Sequence, residues 1–220
     1  MKDIPVFDTP EGVSTLILKE IPYAQTAYIL VQSVQPGGLR EHLEECIRFC
    51  RMCGAERILA SGHPELEAWP LHCRIIPMAG TWTDDGDPGA NLFPVTEETI
   101  SRWRAIYNER MSGVDNSATL TAFDEKKILA SCGAYFIHDC GELLGIGWME
   151  GPEVRCIAAV RPGAGEIVLR TLMTTADSDR VTLEVASTNH RAIRLYEKLG
   201  FFPCGEGKSW YVIRKGGDPS

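Results

Sequence analysis

Apolar residues recur at helical spacing in a segment near the carboxyl terminus, and both ends of that segment carry terminating signals. The apolar positions are Ala192, Ile193, Leu195, Tyr196 and Leu199. Steps of this kind predict one buried helical face. Thr188 or Asn189 can cap the amino end, and Gly200 can take the left-handed backbone that ends a helix. Residues 181–185 alternate in polarity and are rich in β-branched side chains, which predicts a strand just before the helix.

The polarity pattern predicts further elements upstream and one after this helix. They are helices over 96–110, 117–131 and 166–175, and strands over 92–95, 133–138, 142–149, 155–160 and 209–213. Thr96 is the expected cap of the first helix, and Ile100 and Trp103 are expected to face inward. Residues 139–141 read as a hairpin turn. Helices interspersed with strands in this order indicate an α/β fold.

The amino-terminal part of the chain predicts a smaller strand, helix, strand unit. Strands are expected over 14–18, 26–34 and 56–61, with a helix over 38–54 that ends at Gly54. The buried face of that helix is predicted from Leu39, Leu43, Cys46, Cys50 and Cys53. Because the helix joins two strands, a parallel right-handed crossover is the expected connection.

Residues 77–91 break the periodic pattern and predict a linker between two domains. Their turn-forming residues and the acids Asp84, Asp85 and Asp87 favour a solvated connection. The spacing lacks the terminal glutamate of an EF-hand, so a calcium loop is not predicted. The predicted domains are therefore an N-terminal unit over 1–76 and a second domain over 92–220.

Composition and charge narrow the function classes. The chain has 220 residues, 44% of them hydrophobic and 24% charged, which is typical of a globular protein with a real core. The net charge of −8 argues against nucleic acid or an anionic membrane as a partner, and it would attract a cationic amine. With no secretory signal or apolar run of spanning length, we expect a cytoplasmic protein.

The eight cysteines are expected to be thiols inside the fold. Cys46, Cys50 and Cys53 have a C-x3-C-x2-C spacing that superficially matches the cluster loop of radical iron–sulfur enzymes. Their place on the apolar face of a predicted helix favours packing instead, because cysteine behaves there as a small hydrophobe. No metal site is predicted.

The carboxyl-terminal helix resembles the second half of the acyl-CoA site of GNAT acetyltransferases. The resemblance rests on Asn189, Ala192, Tyr196 and the ending Leu199, Gly200 and Phe201. The order of predicted elements over residues 92–215 is also similar to the GNAT fold. The resemblance implies an α/β architecture with a GNAT-type mixed sheet flanked by helices, here preceded by the N-terminal βαβ unit, and acetyl-CoA as co-substrate.

The same resemblance implies a pyrophosphate loop after the fourth strand, with the pattern Arg/Gln-x-x-Gly-x-Gly/Ala. Gly163 and Gly165 match its glycines, whereas Val160 stands in the basic position and Arg161 is displaced by one residue. The implied acyl-CoA contacts are Ala158, Val160, Arg161, Gly163, Ala164, Gly165 and Glu166, with Asn189 on the pantetheine arm. A tight turn into a helix is the alternative for the loop, and a simple helix cap is the alternative for Asn189.

Two residues are candidates for proton transfer. By resemblance, Tyr196 would protonate the departing thiolate; the alternative is a tyrosine of the core. Glu184 lies in phase with Thr182 on its predicted strand and could face the cleft as the general base. Glu150 and Glu153 are alternative bases, and an ordinary surface carboxylate is the alternative for each. Direct transfer also predicts that no cysteine is essential.

The sequence therefore predicts an N-acetyltransferase that moves an acetyl group from acetyl-CoA to a primary amine, on a small molecule or a peptide. The alternative is an inactive GNAT-fold module that binds CoA or an amine as a sensor, or that serves as an interaction unit. Residues 34–38 and 160–164 share a proline–glycine turn after an apolar strand, so the N-terminal unit could be a degenerate GNAT half; chance similarity is the alternative. We expect that unit to pack on the catalytic domain or to contribute to a homodimer.

Overall fold

The computed structural model describes residues 5–82, 89–115 and 117–213. The chain divides into two compact units. The first comprises residues 1–75 and 207–220, and the second comprises residues 76–206. Among the described residues, no helix is both long and apolar enough to cross a membrane.

Strands and helices follow one another through the whole chain. The first ones are β1 (Val6–Thr9), β2 (Gly12–Ile17), α1 (Ile21–Ala24), β3 (Thr26–Val34), α2 (Leu39–Met52), β4 (Arg57–Ser61), a 3₁₀ turn (Pro64–Ala68) and β5 (Leu71–Thr81). The chain continues with β6 (Asn91–Pro94), α3 (Ile100–Met111), α4 (Ala122–Ser131), β7 (Ala134–Asp139), β8 (Glu142–Glu150), β9 (Glu153–Ala159), α5 (Gly165–Met173), β10 (Arg180–Ala186), α6 (His190–Lys198), β11 (Phe202–Pro203) and β12 (Lys208–Val212).

The first unit is built on strands in the order β1-β2-β3-β4-β12-β5, where β5 contributes its first residues. Strands β1, β2 and β3 are antiparallel neighbours, whereas β3 and β4 are parallel. Helix α2 makes the connection between β3 and β4, as the sequence predicted. Its apolar face packs into a core that contains Leu16, Ile29 and Ile58.

Helix α2 confirms most of the predicted stripe and corrects its end. Leu39, Leu43, Cys46 and Cys50 are buried. The prediction for Cys53 is wrong: its side chain is exposed, because Cys53 caps the helix and the chain turns away at Gly54, where φ is +94°. Polar His42 is also fully buried on this face. Its ring nitrogens lie 2.8 Å from Thr9 Oγ1 and 2.7 Å from Ser14 Oγ, so hydrogen bonds compensate for its burial.

The second unit contains a mixed sheet with helices on both faces, which confirms the predicted fold class. Its strand order is β5-β10-β9-β8-β7-β6, with β11 paired to β5. Strands β6 to β9 are antiparallel neighbours, and β10 is parallel to β9. One face packs against α5 and α6 through residues such as Leu172 and Tyr196. The other face packs against α3 and α4 through residues such as Trp103 and Ile128.

Two glycines of β8 bring α5 close to the sheet. A Cβ atom at Gly145 would lie 2.8 Å from Val168 Cγ2, and one at Gly147 would lie 2.7 Å from Leu172 Cδ2. Real side chains essentially never approach so closely, so a side chain at either position would shift Val168 or Leu172, or move α5 away from the sheet. The close approach fixes the height of α5 above the strands that precede it.

The beginning of α3 differs from the prediction. The helix begins at Ile100 with Thr99 at its N-cap position, so the expected cap at Thr96 is wrong. The physical reason is a preceding turn, in which the Thr96 N–H donates to Thr99 Oγ1 at 2.9 Å and the Thr96 carbonyl accepts from the Ile100 N–H at 2.9 Å. Ile100 and Trp103 are buried as expected.

Strand β5 extends through residue 81, into the segment for which the sequence predicts a linker over 77–91. Residues 83–88 of that segment, which include Asp84, Asp85 and Asp87, lie outside the described residues. At the other end of the chain, β12 pairs with β4 and with the first part of β5. The first compact unit therefore includes a strand from the segment that the sequence assigns to the second domain.

Candidate active site

Strands β9 and β10 are neighbours only at their amino-terminal ends. Thr182 lies opposite Glu153 and Leu183 lies opposite Val154, and the described ladder stops there. The two strands therefore separate toward their carboxyl ends and leave a cleft between them. Ligands of α/β proteins bind outside the carboxyl ends of parallel strands, at the place where the strands offer such a crevice.

A β-bulge at Arg155 lies where the pairing of β9 with β10 ends. On the other side of β9, Trp148 pairs with Cys156 and Met149 pairs with Val154, which leaves Arg155 as an extra residue. The extra residue changes which face of the sheet later side chains join, so Val154 packs with α5 whereas Cys156 packs with α3 and α4. Bulges bend a strand in this way, and they are common beside active sites.

Helix α5 begins at the carboxyl end of β9 with backbone donors that are not used inside the protein. Gly163 has φ of +84°, and the Ala164 N–H donates to the Arg161 carbonyl at 3.3 Å. For the next three amides, those of residues 165–167, the described residues provide no acceptor. Unused N–H groups at the first turn of a helix form an anion site. The glycine loop is therefore suited to a phosphate group.

The charged residues predicted for this loop have protein partners. The guanidinium of Arg161 lies 2.6 Å from the carboxylate of Glu142, at the beginning of β8. Glu166 pairs with Lys198 of α6 and with Arg170, whose Nε lies 3.3 Å from Glu166 Oε1. The hydrogen bond from Lys198 is the main cause that lowers the pKa of Glu166. The negative charge of Glu166 is thus compensated beside the loop.

The remaining predicted positions, at the end of β9 and the start of the loop, are held by contacts within the protein. Ala158 is buried on β9, facing α3 and α4. The N–H groups of Val160 and Arg161 both donate to the Leu144 carbonyl, at 2.8 Å and 3.3 Å, which holds the start of the loop against β8. Their amides are therefore not available to a ligand in the way that those of residues 165–167 are.

Helix α6 begins at the same end of the cleft. Asn189 Oδ1 accepts a hydrogen bond from the Ala192 N–H at 3.1 Å, so Asn189 is the N-cap. Its side-chain nitrogen has no partner among the residues that the structure describes, and it can still donate to a ligand. Thr188 donates to Asp115 Oδ2 at 2.7 Å, which ties the connection between α3 and α4 to the start of α6. Gly200 ends the helix with φ of +81°, as predicted.

Tyr196 faces the interior of the second unit from the same helix. Its side chain is 8% exposed, and its ring centroid lies 6.1 Å from that of Phe201. Burial raises the pKa of the phenol, and the neighbouring Cys156 thiol of β9 adds to the effect. In the described part of the chain, the hydroxyl group has no hydrogen-bond partner. A buried phenol that stays protonated and unpaired can donate to a group that enters the cleft.

The structure separates the three candidate bases. Glu184 is exposed on β10, on the face opposite Val181, Leu183 and Val185, which pack with α5 and α6. It therefore lies on the α3 and α4 face, just past the last residue that pairs with β9. Glu150 and Glu153 instead contact Arg155, at 3.6 Å and 2.7 Å, at the amino end of β9. Only Glu184 is on the open side of the cleft.

Two neighbours of the cleft were not predicted from the sequence. Arg110 at the end of α3 donates to the Val160 carbonyl at 3.2 Å, and Asp115 anchors Thr188. Both contacts join residues far apart in the chain. No local pattern signals such contacts, because side-chain periodicity reports burial and not the partner.

Comparisons with known proteins agree with this geometry. The profile described as "Acetyltransferase (GNAT) family" matches residues 90–201. No curated protein matches the chain significantly.

Among solved structures, the chain is similar to a GCN5-related N-acetyltransferase from Kribbella flavida, with 14% identity and a TM-score of 0.63, covering 98% of this chain and 91% of that one. It is also similar to a GCN5-related N-acetyltransferase from Sphaerobacter thermophilus, with 14% identity and a TM-score of 0.61, covering 94% and 78%. A tandem GNAT protein from the clavulanic acid biosynthesis pathway has 14% identity and a TM-score of 0.55, covering 96% and 83%. At this identity the likenesses concern the fold. Because the family profile spans half of the chain and includes the cleft, both of its helix starts and Tyr196, the protein belongs to the GNAT acetyltransferase family.

Proposed function

We propose that the protein transfers an acetyl group from acetyl-CoA to a primary amine, with Tyr196 as the general acid. The single observation that carries the proposal is the phenol of Tyr196, which is buried, kept protonated and unpaired beside the separated strands. The ring is buried, whereas the hydroxyl oxygen keeps contact with solvent and is free to meet a ligand. Here a substrate would supply the missing partner.

The residues around the cleft fit the parts of acetyl-CoA. The amides of residues 165–167 can donate to the diphosphate, since they have no acceptor among the described residues. The edge of β9 beyond Val154 is not paired with β10, so the peptide-like pantetheine arm can add to it as a strand would. The free side-chain nitrogen of Asn189 can donate to the same arm.

The proton transfers follow from the positions of Glu184 and Tyr196. Acetyl-CoA supplies the acetyl group as a thioester, whose C–S bond breaks as the C–N bond of the amide forms. An amine is a cation at neutral pH, so Glu184 accepts a proton to free the nitrogen lone pair for attack on the carbonyl carbon. Tyr196 gives its proton to the sulfur, which leaves with the electron pair of the broken bond, and regains a proton from water.

We infer in addition that the first unit is a degenerate GNAT half without a catalytic role. Its strands β1, β2 and β3 are antiparallel and are followed by a helical crossover to parallel β4, which is the order of β7, β8, β9 and β10 in the second unit. The similarity to a tandem GNAT protein over 96% of this chain supports the inference. The acceptor side of the cleft carries Glu184 and Asp115, which suits a cationic amine.

A mass-based screen of amines with acetyl-CoA tests the proposal, with the wild type compared with Tyr196→Phe. The matched control is Tyr211→Phe, which removes one phenol oxygen at the same 8% exposure, but in the first unit. We expect Tyr196→Phe to lower kcat by about 100-fold, the usual contribution of a general acid, and to leave acetyl-CoA binding intact. The control should keep the wild-type kcat.

Three other results would change the assignment. Equal turnover of Tyr196→Phe and the wild type would remove Tyr196 as the acid. Thermal stabilisation by acetyl-CoA without turnover of any amine would instead favour a binding module without catalysis. No stabilisation by acetyl-CoA at all would reject both functions.

A further inference from the structure

The side of α6 that faces α5 is marked by two contacts. A Cβ atom at Gly165 would lie 3.1 Å from Leu195 Cδ2, so Leu195 packs directly on the first turn of α5. Lys198, three residues later, pairs with Glu166 in the same turn. Residues three and four apart share a face of a helix, so these contacts define the face of α6 that borders the loop.

Arg191 lies on this face, one turn before Leu195. It lies in the first turn of α6, seven residues before Lys198 and toward the open end of the cleft. The side chain is exposed, and none of the residues that the structure describes pairs with it. An arginine in this place can reach an anion held by the first turn of α5.

The other basic residues around the loop are engaged. Arg161 pairs with Glu142, and both Arg170 and Lys198 pair with Glu166. Arg110 donates to the Val160 carbonyl. Val160 itself occupies the position at which the resemblance implies a basic side chain. The loop therefore lacks a cation of its own that is free to meet a phosphate.

We propose that Arg191 pairs with the diphosphate of the acyl-CoA donor and supplies the positive charge that is missing at Val160. This proposal rests on the proposed function. The guanidinium offers two parallel donors to two phosphate oxygens, while the amides of residues 165–167 donate from the opposite side. The donor would thus be held between the first turns of α5 and α6.

Arg194 offers a matched control on the same helix. It is exposed, and it too has no partner in the described residues. An α-helix turns about 100° per residue, so Arg194 points about 100° away from Leu195, the residue that packs on Gly165, whereas Arg191 points about 40° away from it. Arg191→Ala and Arg194→Ala remove the same charge from the same helix, and only the first should affect the diphosphate.

Titration of the full chain with acetyl-CoA, acetyl-3′-dephospho-CoA and S-acetylpantetheine tests the proposal by calorimetry, with thermal shift for the weakest ligand. We expect Arg191→Ala to raise the Kd of both nucleotide ligands by the same factor of about 10, the value of one charge-assisted pair. S-acetylpantetheine has no diphosphate, so its binding should not change. Arg191→Lys should recover part of the loss, and Arg194→Ala should match the wild type.

Each contrary result has a separate meaning. A loss with acetyl-CoA but not with the 3′-dephospho form would overturn the proposal by moving the contact to the 3′-phosphate. Equal losses for Arg191→Ala and Arg194→Ala would overturn it by reducing the effect to net charge. If Arg191→Ala binds acetyl-CoA as tightly as the wild type does, this proposal alone is overturned. If the wild type binds none of the three ligands, the proposed function is rejected as well.

Discussion

The two units contain the same succession of strand, proline–glycine turn, helix and parallel strand, yet their parallel strands stay paired over different lengths. Gly37 before α2 has φ of +78° and Gly163 before α5 has φ of +84°, so the two turns are alike. Strands β3 and β4 stay paired over five residues, from Thr26 opposite Arg57 to Leu30 opposite Ser61. Strands β9 and β10 pair over two. The glycine turns are thus alike, and the two units differ in how far their parallel strands stay together.

The chain that follows the second strand also differs between the units. After β4 it forms only a 3₁₀ turn of five residues. After β10 it forms the nine-residue helix α6, capped by Asn189 and carrying Tyr196. Gly62 lies directly after β4 with φ of +100°, and a Cβ atom there would lie 2.4 Å from the Val31 carbonyl oxygen. The backbone of the first unit thus closes over β3 where that of the second unit opens.

Replacing Gly62 should disturb the close approach of the backbone to β3, and we expect this substitution to have the largest effect. Gly62→Ala places a methyl group against the Val31 carbonyl in a backbone region that alanine disfavours, and should lower the free energy of unfolding of the first unit by about 3 kcal/mol. Gly37→Ala shares the positive φ but meets no atom within 4 Å, and should cost about 1 kcal/mol. Urea denaturation measures both. Equal costs would contradict the closure.

The second prediction concerns Glu184, the proposed general base of the second unit. Glu184→Gln removes the proposed proton acceptor at constant size, and we expect kcat to fall by about 100-fold with acetyl-CoA binding unchanged. Glu153→Gln is the control, because Glu153 contacts Arg155 at 2.7 Å at the closed end of the same strands. Steady-state kinetics with the best amine from the screen decides between them. Similar kcat values for the two variants would exclude Glu184 as the base.

A smaller effect should distinguish the first unit by the pH dependence of its stability. Burial lowers the pKa of His42, against the opposing charges of Glu11, Glu45 and Asp8, so the folded first unit favours the neutral ring. The stabilising contribution is complete above the unfolded pKa of about 6.5 and is lost progressively as the pH falls below it. Urea midpoints at pH 7.5 and 5.5 should show this loss in the wild type.

Substitution of one histidine in each unit assigns that pH dependence. His42→Gln keeps donors and acceptors for Thr9 and Ser14 but cannot be protonated, so the difference between the two midpoints should shrink. His138→Gln, on β7 of the second unit, is the control and should keep the wild-type difference. A difference that persists in His42→Gln would mean that other groups cause it.

Local signals explain what the sequence could predict. The ends of α6 were predicted because Asn189 and Gly200 act on their own neighbours, and the β3, α2, β4 unit was predicted because its periodicity is regular. Strand β5 was missed because Pro77 argues against a strand within one sequence window. In the structure Pro77 lies between paired neighbours, and its carbonyl accepts from the Cys204 N–H at 2.8 Å.

The composition of the cleft depended on contacts that one window cannot show. Arg161 forms an ion pair with Glu142, and Glu166 forms one with Lys198, which is 32 residues away in the chain. The separation of β9 from β10 coincides with a β-bulge at Arg155, and no residue type in the sequence predicts that bulge. The sequence could therefore indicate which residues belong to the cleft, but not which of its charges remain free.

The place of β12 bears on how the chain is made. This strand lies between β4 and β5 in the sheet of the first unit, although it is separated from both by the whole second unit. When residues 1–75 have left the ribosome, β12, which completes the sheet of the first unit, has not yet been synthesised. Contacts between such distant segments form late, because a long loop must close first. The second unit can thus fold while the nascent chain is still growing, and the first unit is completed only after it.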